Sequence, residues 1–276
     1  MYKVSLMKNL IFEENYISKS LRVQFVDYLE GLTPLWENRF SESNPPPKGD
    51  QQRKLLRPVY WLGNWQFACL NYYHPPRGID YRCVEAEPFP DFMQRVVDDV
   101  ENKVRNEFSP SDIPHKWHLN TCLVNYYGTE VRDNQTIDLA RVGEHKDFEP
   151  GPVASISFGD RALFQFVESS GRDRAQKSKV ILQQWLSDSC LQVFGGEKFK
   201  KKLFHRVQRV EEKSGKPFQV KVENFITRRI NLTFRYVPTE HIKPYRLFPE
   251  NLQRDVHEYM LKLSEKSSFF QEQIKL

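Results

Sequence analysis

Arg229-Ile230-Asn231-Leu232-Thr233-Phe234-Arg235 is the stretch on which the reading of this sequence turns. Its polar and apolar residues alternate without a break. Successive side chains of a strand point to opposite faces, so Arg229, Asn231, Thr233 and Arg235 share one face and Ile230, Leu232, Phe234 and Tyr236 share the other. Two arginines on one polar face present planar forks that suit carboxylates. If that face lines a cavity, a dicarboxylate could bridge the two guanidiniums. If it faces water, the segment is an ordinary surface strand. Spacing alone fits both equally.

Upstream of this strand the texture is extended. Strand candidates lie at 119–127, 153–158, 162–167, 180–185, 190–194, 203–207 and 218–222, with 230–236 as the last. Short runs separated by charged or glycine-containing loops, with little helix between them, predict an antiparallel sandwich or jelly roll. Helical spacing brackets this region. Leu21, Phe25, Tyr28 and Leu29 mark a helix over 19–30, with Ser18 as its N-cap, and a second amphipathic helix is expected from Asp91 to Phe108. Leu252, Val256, Met260 and Leu263 mark a third helix near the C-terminus. The expected fold class is mainly β with flanking helices (α+β). Residues 1–118 are read as an N-terminal helical extension with a substrate lid, 119–237 as the β core and 238–276 as a helical tail, in one structural domain.

A chain of 276 residues can bury a substantial core, and its 20 Phe, 12 Tyr and 5 Trp are globular in character. The net charge of +5 permits a polyanionic partner without requiring one. Cys69, Cys83, Cys122 and Cys190 fit no zinc module and read as core thiols. The start shows no secretory pattern, and no apolar run approaches the ~18 residues of a membrane span. The expected setting is cytoplasmic and reducing, away from membranes.

Glu144-His145-Lys146-Asp147 carries the metal signal. In an extended segment a histidine and an aspartate two apart point to the same side. A second histidine would complete a 2-His-1-carboxylate face, which leaves positions open and suits non-haem Fe(II). His205, in the strand candidate near the end of the β region, is the best third ligand. His-x-Asp alone is a common pair, and a loop histidine beside a solvated aspartate is the plain alternative. Its value rises beside the arginine strand. A 2-oxo dicarboxylate needs a metal at one end and a cation at the other.

In order and approximate spacing, Asn125-Tyr-Tyr127, His145-Lys-Asp147, Val153–Gly159, Ala162–Phe166, His205 and Arg229–Arg235 resemble the AlkB-like dioxygenases. The resemblance covers about 119–236. It implies a double-stranded β-helix and Fe(II)-dependent chemistry with 2-oxoglutarate and O2. Methylated nucleic-acid bases would be oxidised and formaldehyde, succinate and CO2 released, a DNA or RNA repair or modification activity. By the same resemblance His145, Asp147 and His205 match iron ligands. Arg229, Asn231 and Tyr127 match residues around the far carboxylate of 2-oxoglutarate, Arg235 and Asn125 residues near its 2-oxo end, and Glu149 an acid beside the substrate base.

Trp65 and Tyr81 stand where a lid residue could stack on a base, for ~1–3 kcal/mol; a packed aromatic mini-core is the alternative, preferred for at least one of Trp61 and Trp65. Lys200, Lys201 and Lys202, with Arg172, Arg174, Lys177, Lys179, Arg206 and Arg209, could contact phosphates or form a solvated surface. Two further functions stay open: a dioxygenase acting on a protein or small molecule, and a non-enzymatic β-barrel binding module.

Overall fold

A computed structural model of the chain describes residues 8–70, 83–133, 135–138, 140–168, 178–208 and 216–275. In chain order the elements are β1 (Leu10–Glu13), α1 (Lys19–Gly31), β2 (Val59–Leu62), β3 (Asn64–Trp65), β4 (Cys83–Glu85), α2 (Asp91–Glu107), β5 (Thr121–Arg132), β6 (Gln135–Asp138) and β7 (Val142–His145). Then follow β8 (Val153–Gly159), β9 (Ala162–Glu168), β10 (Lys179–Leu186), β11 (Leu191–Phe194), a π-helical turn (Glu197–Lys202), β12 (Phe204–Gln208), β13 (Phe225–Arg235), β14 (Ile242–Lys243), α3 (Glu250–Ser264) and α4 (Ser268–Ile274).

Among the described residues the strands form a larger antiparallel sheet in the order β1-β11-β8-β13-β5-β2, with β6 paired to β5, and a smaller antiparallel one in the order β10-β9-β12-β7. A small third sheet joins β14, β4 and β3. This is the mainly β, helix-flanked jelly roll that the strand spacing predicts.

The alternation of β13 now has a physical meaning on both faces. Ile230, Leu232 and Phe234 are buried in the core beneath the helices, while Arg229, Asn231, Thr233 and Arg235 line a cavity. Helix α1 shows how the outer layer is fastened. Ser18 Oγ accepts the Leu21 N–H at 3.3 Å, the expected N-cap. Phe25, fully buried, meets Phe92 of α2 edge-on at 5.0 Å and Phe158 of β8 at 5.3 Å. Burying such a ring contributes ~1.5–3 kcal/mol. A second core of Val153, Phe164, Phe166, Phe194, Phe199 and Leu203 packs at the β8–β9–β11–β12 end. All four cysteines are buried and unpaired with one another, as expected of core thiols.

Two local expectations fail. Residues 218–222 form no strand, although Phe-Gln-Val-Lys-Val alternates. The β8 partner covers β13 only from Arg229 to Phe234, and beside its start this segment makes isolated backbone bonds, such as Phe218 N–H to Thr227 O at 2.9 Å, that do not extend into a ladder. The N-terminal segment is not only helical: β1 pairs with β11, and β2 with β5.

Candidate active site

His145 closes β7 and His205 lies opposite it on β12, in direct register. Their ring centroids are 4.2 Å apart. Asp147 sits two residues beyond His145, just past the strand end, and its side chain is only 5% exposed. One ligand atom from each of His145, Asp147 and His205 lies within 4.8 Å of the others.

The hydrogen bonds divide the donor set in a way that fits a divalent metal. His145 Nδ1 meets the Gly143 carbonyl at 2.8 Å and must donate there, which keeps Nε2 as the lone-pair nitrogen. Arg235 Nε and a terminal nitrogen both donate to Asp147 Oδ1, at 3.1 and 2.8 Å. The other oxygen, Oδ2, faces His205 Nε2 at 3.4 Å. Arg235 therefore orients the carboxylate while Oδ2 stays on the histidine side. His205 Nδ1 is buried without a hydrogen-bond partner.

Electrostatics sets the charges that ligands require. Burial alone would push the Asp147 carboxyl up, but the Arg235 guanidinium outweighs it and holds it well below the usual carboxylate range. Burial pushes His205 down to about 3, so its imidazole is neutral.

The cavity beside this triad holds about 500 Å³ of empty space, its open mouth included. Asn125, Tyr127, Arg229, Asn231 and Arg235 all line it. Arg229 is 4% exposed, donates to Ser157 Oγ at 2.9 Å and lies 5.0 Å from the Tyr127 ring centroid. Its Nε has no hydrogen-bond partner. Asn231 Nδ2 donates to Ser155 Oγ at 2.7 Å, and its Oδ1 accepts from Thr233 Oγ1. Asn125 bridges the β5–β13 pair, donating to the Asn231 carbonyl at 3.4 Å. Phe164, Leu186, Phe194 and Val207 supply an apolar wall.

A second hollow, holding about 600 Å³ of empty space with its mouth included, is lined by Gln66, Cys83, Phe148, Glu149, Pro150, Val237, Pro238 and His241. Glu149 is 4% exposed, and its Oε2 lies 3.6 Å from Arg235 Nε. Glu149 thus reaches both the metal-site arginine and this hollow.

Several expectations are corrected here. Trp65 cannot stack on a substrate. It is fully buried, stacked on Phe67 at 5.2 Å and edge-on to Tyr60 and Phe270, and its Nε1 donates to Glu37 at 2.7 Å. The mini-core alternative holds. Lys200 is not a phosphate contact, because its Nζ is buried and faces Asp147 and Glu149. Lys201 and Lys202 of the same turn are exposed, Lys201 within 3.1 Å of Glu197. Arg206 is held by Glu144 at 2.6 Å and by Gln165. Tyr81, Arg172, Arg174, Lys177 and Arg209 lie outside the described residues.

Sequence reasoning missed Arg57, which lines the cavity from just ahead of β2. No periodicity or motif marks it, and only the β2–β5 register brings it in.

A jelly roll whose sheets meet at a His-Asp-His triad, with buried arginines in the adjoining cavity, defines a non-haem-iron type of oxygenase site. A model of the 2OG-Fe(II) oxygenase superfamily matches residues 9–235, and the chain belongs to that family. It is a dioxygenase, and its chemistry uses Fe(II), 2-oxoglutarate and O2. Among solved structures 84 chains match. One, described as the structure of OsALKBH1, is 19% identical with a TM-score of 0.49, the match covering 84% of this chain and 100% of that one. No curated protein matches the sequence. Among the described residues no helix is long and apolar enough to cross a membrane.

Proposed function

We propose that His145, Asp147 and His205 hold Fe(II), that Arg229, Asn231, Tyr127, Asn125 and Arg235 position 2-oxoglutarate, and that the enzyme oxidatively demethylates alkylated bases of DNA or RNA. The observation that carries the site is the convergence of the three ligand atoms within 4.8 Å at a cavity whose polar wall is β13.

When bound, the iron with 2-oxoglutarate and O2 supplies the oxidising power to hydroxylate a substrate C–H, with succinate and CO2 as co-products. This chain's residues supply the rest. Asp147 is kept ionised and His205 neutral, the states in which they can donate lone pairs. Arg235 fixes the Asp147 carboxylate from Oδ1. At the other end Arg229 offers charge-assisted donors to a carboxylate. Phe164, Leu186 and Val207 exclude water and strengthen these interactions.

For the substrate, the support is the series of motifs shared with AlkB-like enzymes and the hollow beside Glu149. Its lining sets an aromatic ring, Phe148, next to Gln66, Glu149 and His241. A flat alkylated base matches that mixture of apolar face and hydrogen-bonding edge. The exposure of Lys201 and Lys202 supports a role for them in meeting phosphates. Formaldehyde release from methylated oligonucleotides, compared with methylated peptides, tests this reading. Release from the peptide alone would transfer the enzyme to protein substrates.

A further inference from the structure

Trp65 ends β3, with its indole anchored on Glu37 and its ring stacked on Phe67. Gln66 follows it and is held in place by that packing. Pairing of β3 with β4, Trp65 opposite Val84, sets Gln66 beside Cys83 on the wall of the hollow that Glu149 also lines. Gln66 is 2% exposed, and its Oε1 is buried without a hydrogen-bond partner. The Glu149 Oε2 is likewise buried without one, although it lies 3.6 Å from Arg235 Nε.

An acceptor buried without a donor destabilises the folded chain. Two such acceptors in one hollow point to a ligand that brings donors to both. Phe148, Pro150, Val237 and Pro238 give the hollow apolar faces that suit a flat ring. Arg235, which holds Asp147 and lies against Glu149, ties the hollow to the metal end of the neighbouring cavity. Gln66 adds what Glu149 cannot: an amide carries an N–H donor in the same plane as its acceptor.

Resting on the reading of this hollow as the pocket of an alkylated base, we propose that Gln66 is a specificity-determining residue that selects methylated adenine over methylated cytosine. Adenine carries a ring acceptor, N7, beside its amino group, and a glutamine amide pairs with both at once. In N1-methyladenine the methyl group leaves that edge open. One N6–H donates to Gln66 Oε1, N7 accepts from Gln66 Nε2, and the other N6–H is left for Glu149 Oε2. N3-methylcytosine has the same positive charge and an amino group, but a C–H where adenine has N7. Gln66 Nε2 is then left unpaired, and a site built to pair rejects the ligand that lacks the partner. Guanine and thymine set a carbonyl oxygen against both acceptors.

Equilibrium binding to the full chain loaded with Mn(II) and 2-oxoglutarate tests this without turnover. The probes are single-stranded oligonucleotides that differ only in carrying an N1-methyladenine, an N3-methylcytosine or no methyl group, followed by fluorescence anisotropy. The native chain is expected to bind the methyladenine probe about tenfold more tightly than the methylcytosine probe. Gln66→Met, which keeps the length and removes both amide atoms, should abolish that preference by weakening methyladenine binding. Its thermal melting should stay at or above native, because an unpaired buried acceptor has been removed. Gln66→Asn, which draws the amide back by one methylene, should lose the preference too and carries the test if the methionine variant does not fold. Equal native affinity for the two methylated probes, or an adenine preference that survives the substitutions, overturns the proposal and leaves the base pocket standing. If neither methylated probe binds better than the unmodified one, the base-pocket reading fails, and the role of Gln66 with it.

Discussion

Gly128→Ala is expected to damage the site without touching any of its functional side chains. Gly128 lies in β5 opposite Thr227, beside the register shift between Thr227 and Arg229. A Cβ there would fall 1.9 Å from the Ile226 carbonyl oxygen, 2.8 Å from its carbon and 3.0 Å from Thr227 Cα. These are backbone atoms, so relief requires β13 to move away from β5 by about 1.5 Å, to restore an ordinary contact. Overpacking of this kind costs ~1–3 kcal/mol. Loosening one or two ladder hydrogen bonds adds ~0.5–1.5 kcal/mol each. The sum is a loss of ~1.5–6 kcal/mol. Arg229 lies two residues beyond Thr227, so its placement against Tyr127 and Ser157 moves with the strand. Chemical denaturation, with 2-oxoglutarate binding measured on the folded fraction, gives the readout. A lowered midpoint and weakened co-substrate binding are expected. Gly143→Ala is the control, since a Cβ there meets nothing within 4 Å. If Gly128→Ala matches the native midpoint, the close packing of β5 on β13 is wrong, and so is the placement of Arg229 derived from it.

Trp65→Phe leaves a buried Glu37 oxygen without its indole donor and should cost ~1–3 kcal/mol in thermal or urea unfolding, with substrate KM unchanged; a raised KM at native stability would instead restore a stacking role. Burial raises Glu37 to about 7 from 4.5. The folded state then keeps a proton that the unfolded chain has lost, so this group's contribution falls as pH rises from about 4.5 to about 7 and is flat above. Glu37→Gln should narrow the stability difference between pH 5 and pH 8 by about 3 kcal/mol, and parallel pH profiles for the two proteins would refute the shift. Reversing Lys201 and Lys202 to Glu should weaken binding of a methylated oligonucleotide and reduce its log–log salt slope by about 1.4–1.8, for two lost phosphate contacts at ~0.7–0.9 each. An unchanged slope removes those lysines from the nucleic-acid surface.

The part of the site carried by strand periodicity was legible in the sequence. Alternation in 229–235 named residues that line the cavity, and the two-residue spacing of His145 and Asp147 named two of the three side chains that converge as candidate metal ligands. Alternation could not say which face met water. That depended on the smaller sheet covering it, a consequence of long-range pairing. Residues 218–222 misled for a related reason: the pattern was strand-like, but the bond from Phe218 to Thr227 does not extend into a ladder. Trp65 was ambiguous because its partner, Glu37, is distant in sequence and is itself buried. Lys200 looked like part of a basic run until the π-helical turn pointed it inward and its two neighbours outward. Arg57 had no local signature, since its place at the cavity arises from the register of β2 on β5. Residues fixed by period could be read, and those fixed by tertiary register could not.

The most direct test of the central claim is succinate formation by the native protein and by His145→Ala, each with and without added Fe(II) and 2-oxoglutarate. The triad predicts turnover that requires both additions in the native protein. In the variant, turnover should fall to background while its thermal melting stays within a few degrees of native, because His145 contributes a ligand and little packing. Succinate formed at the native rate by the folded variant would contradict the assignment of His145, Asp147 and His205 as the iron site.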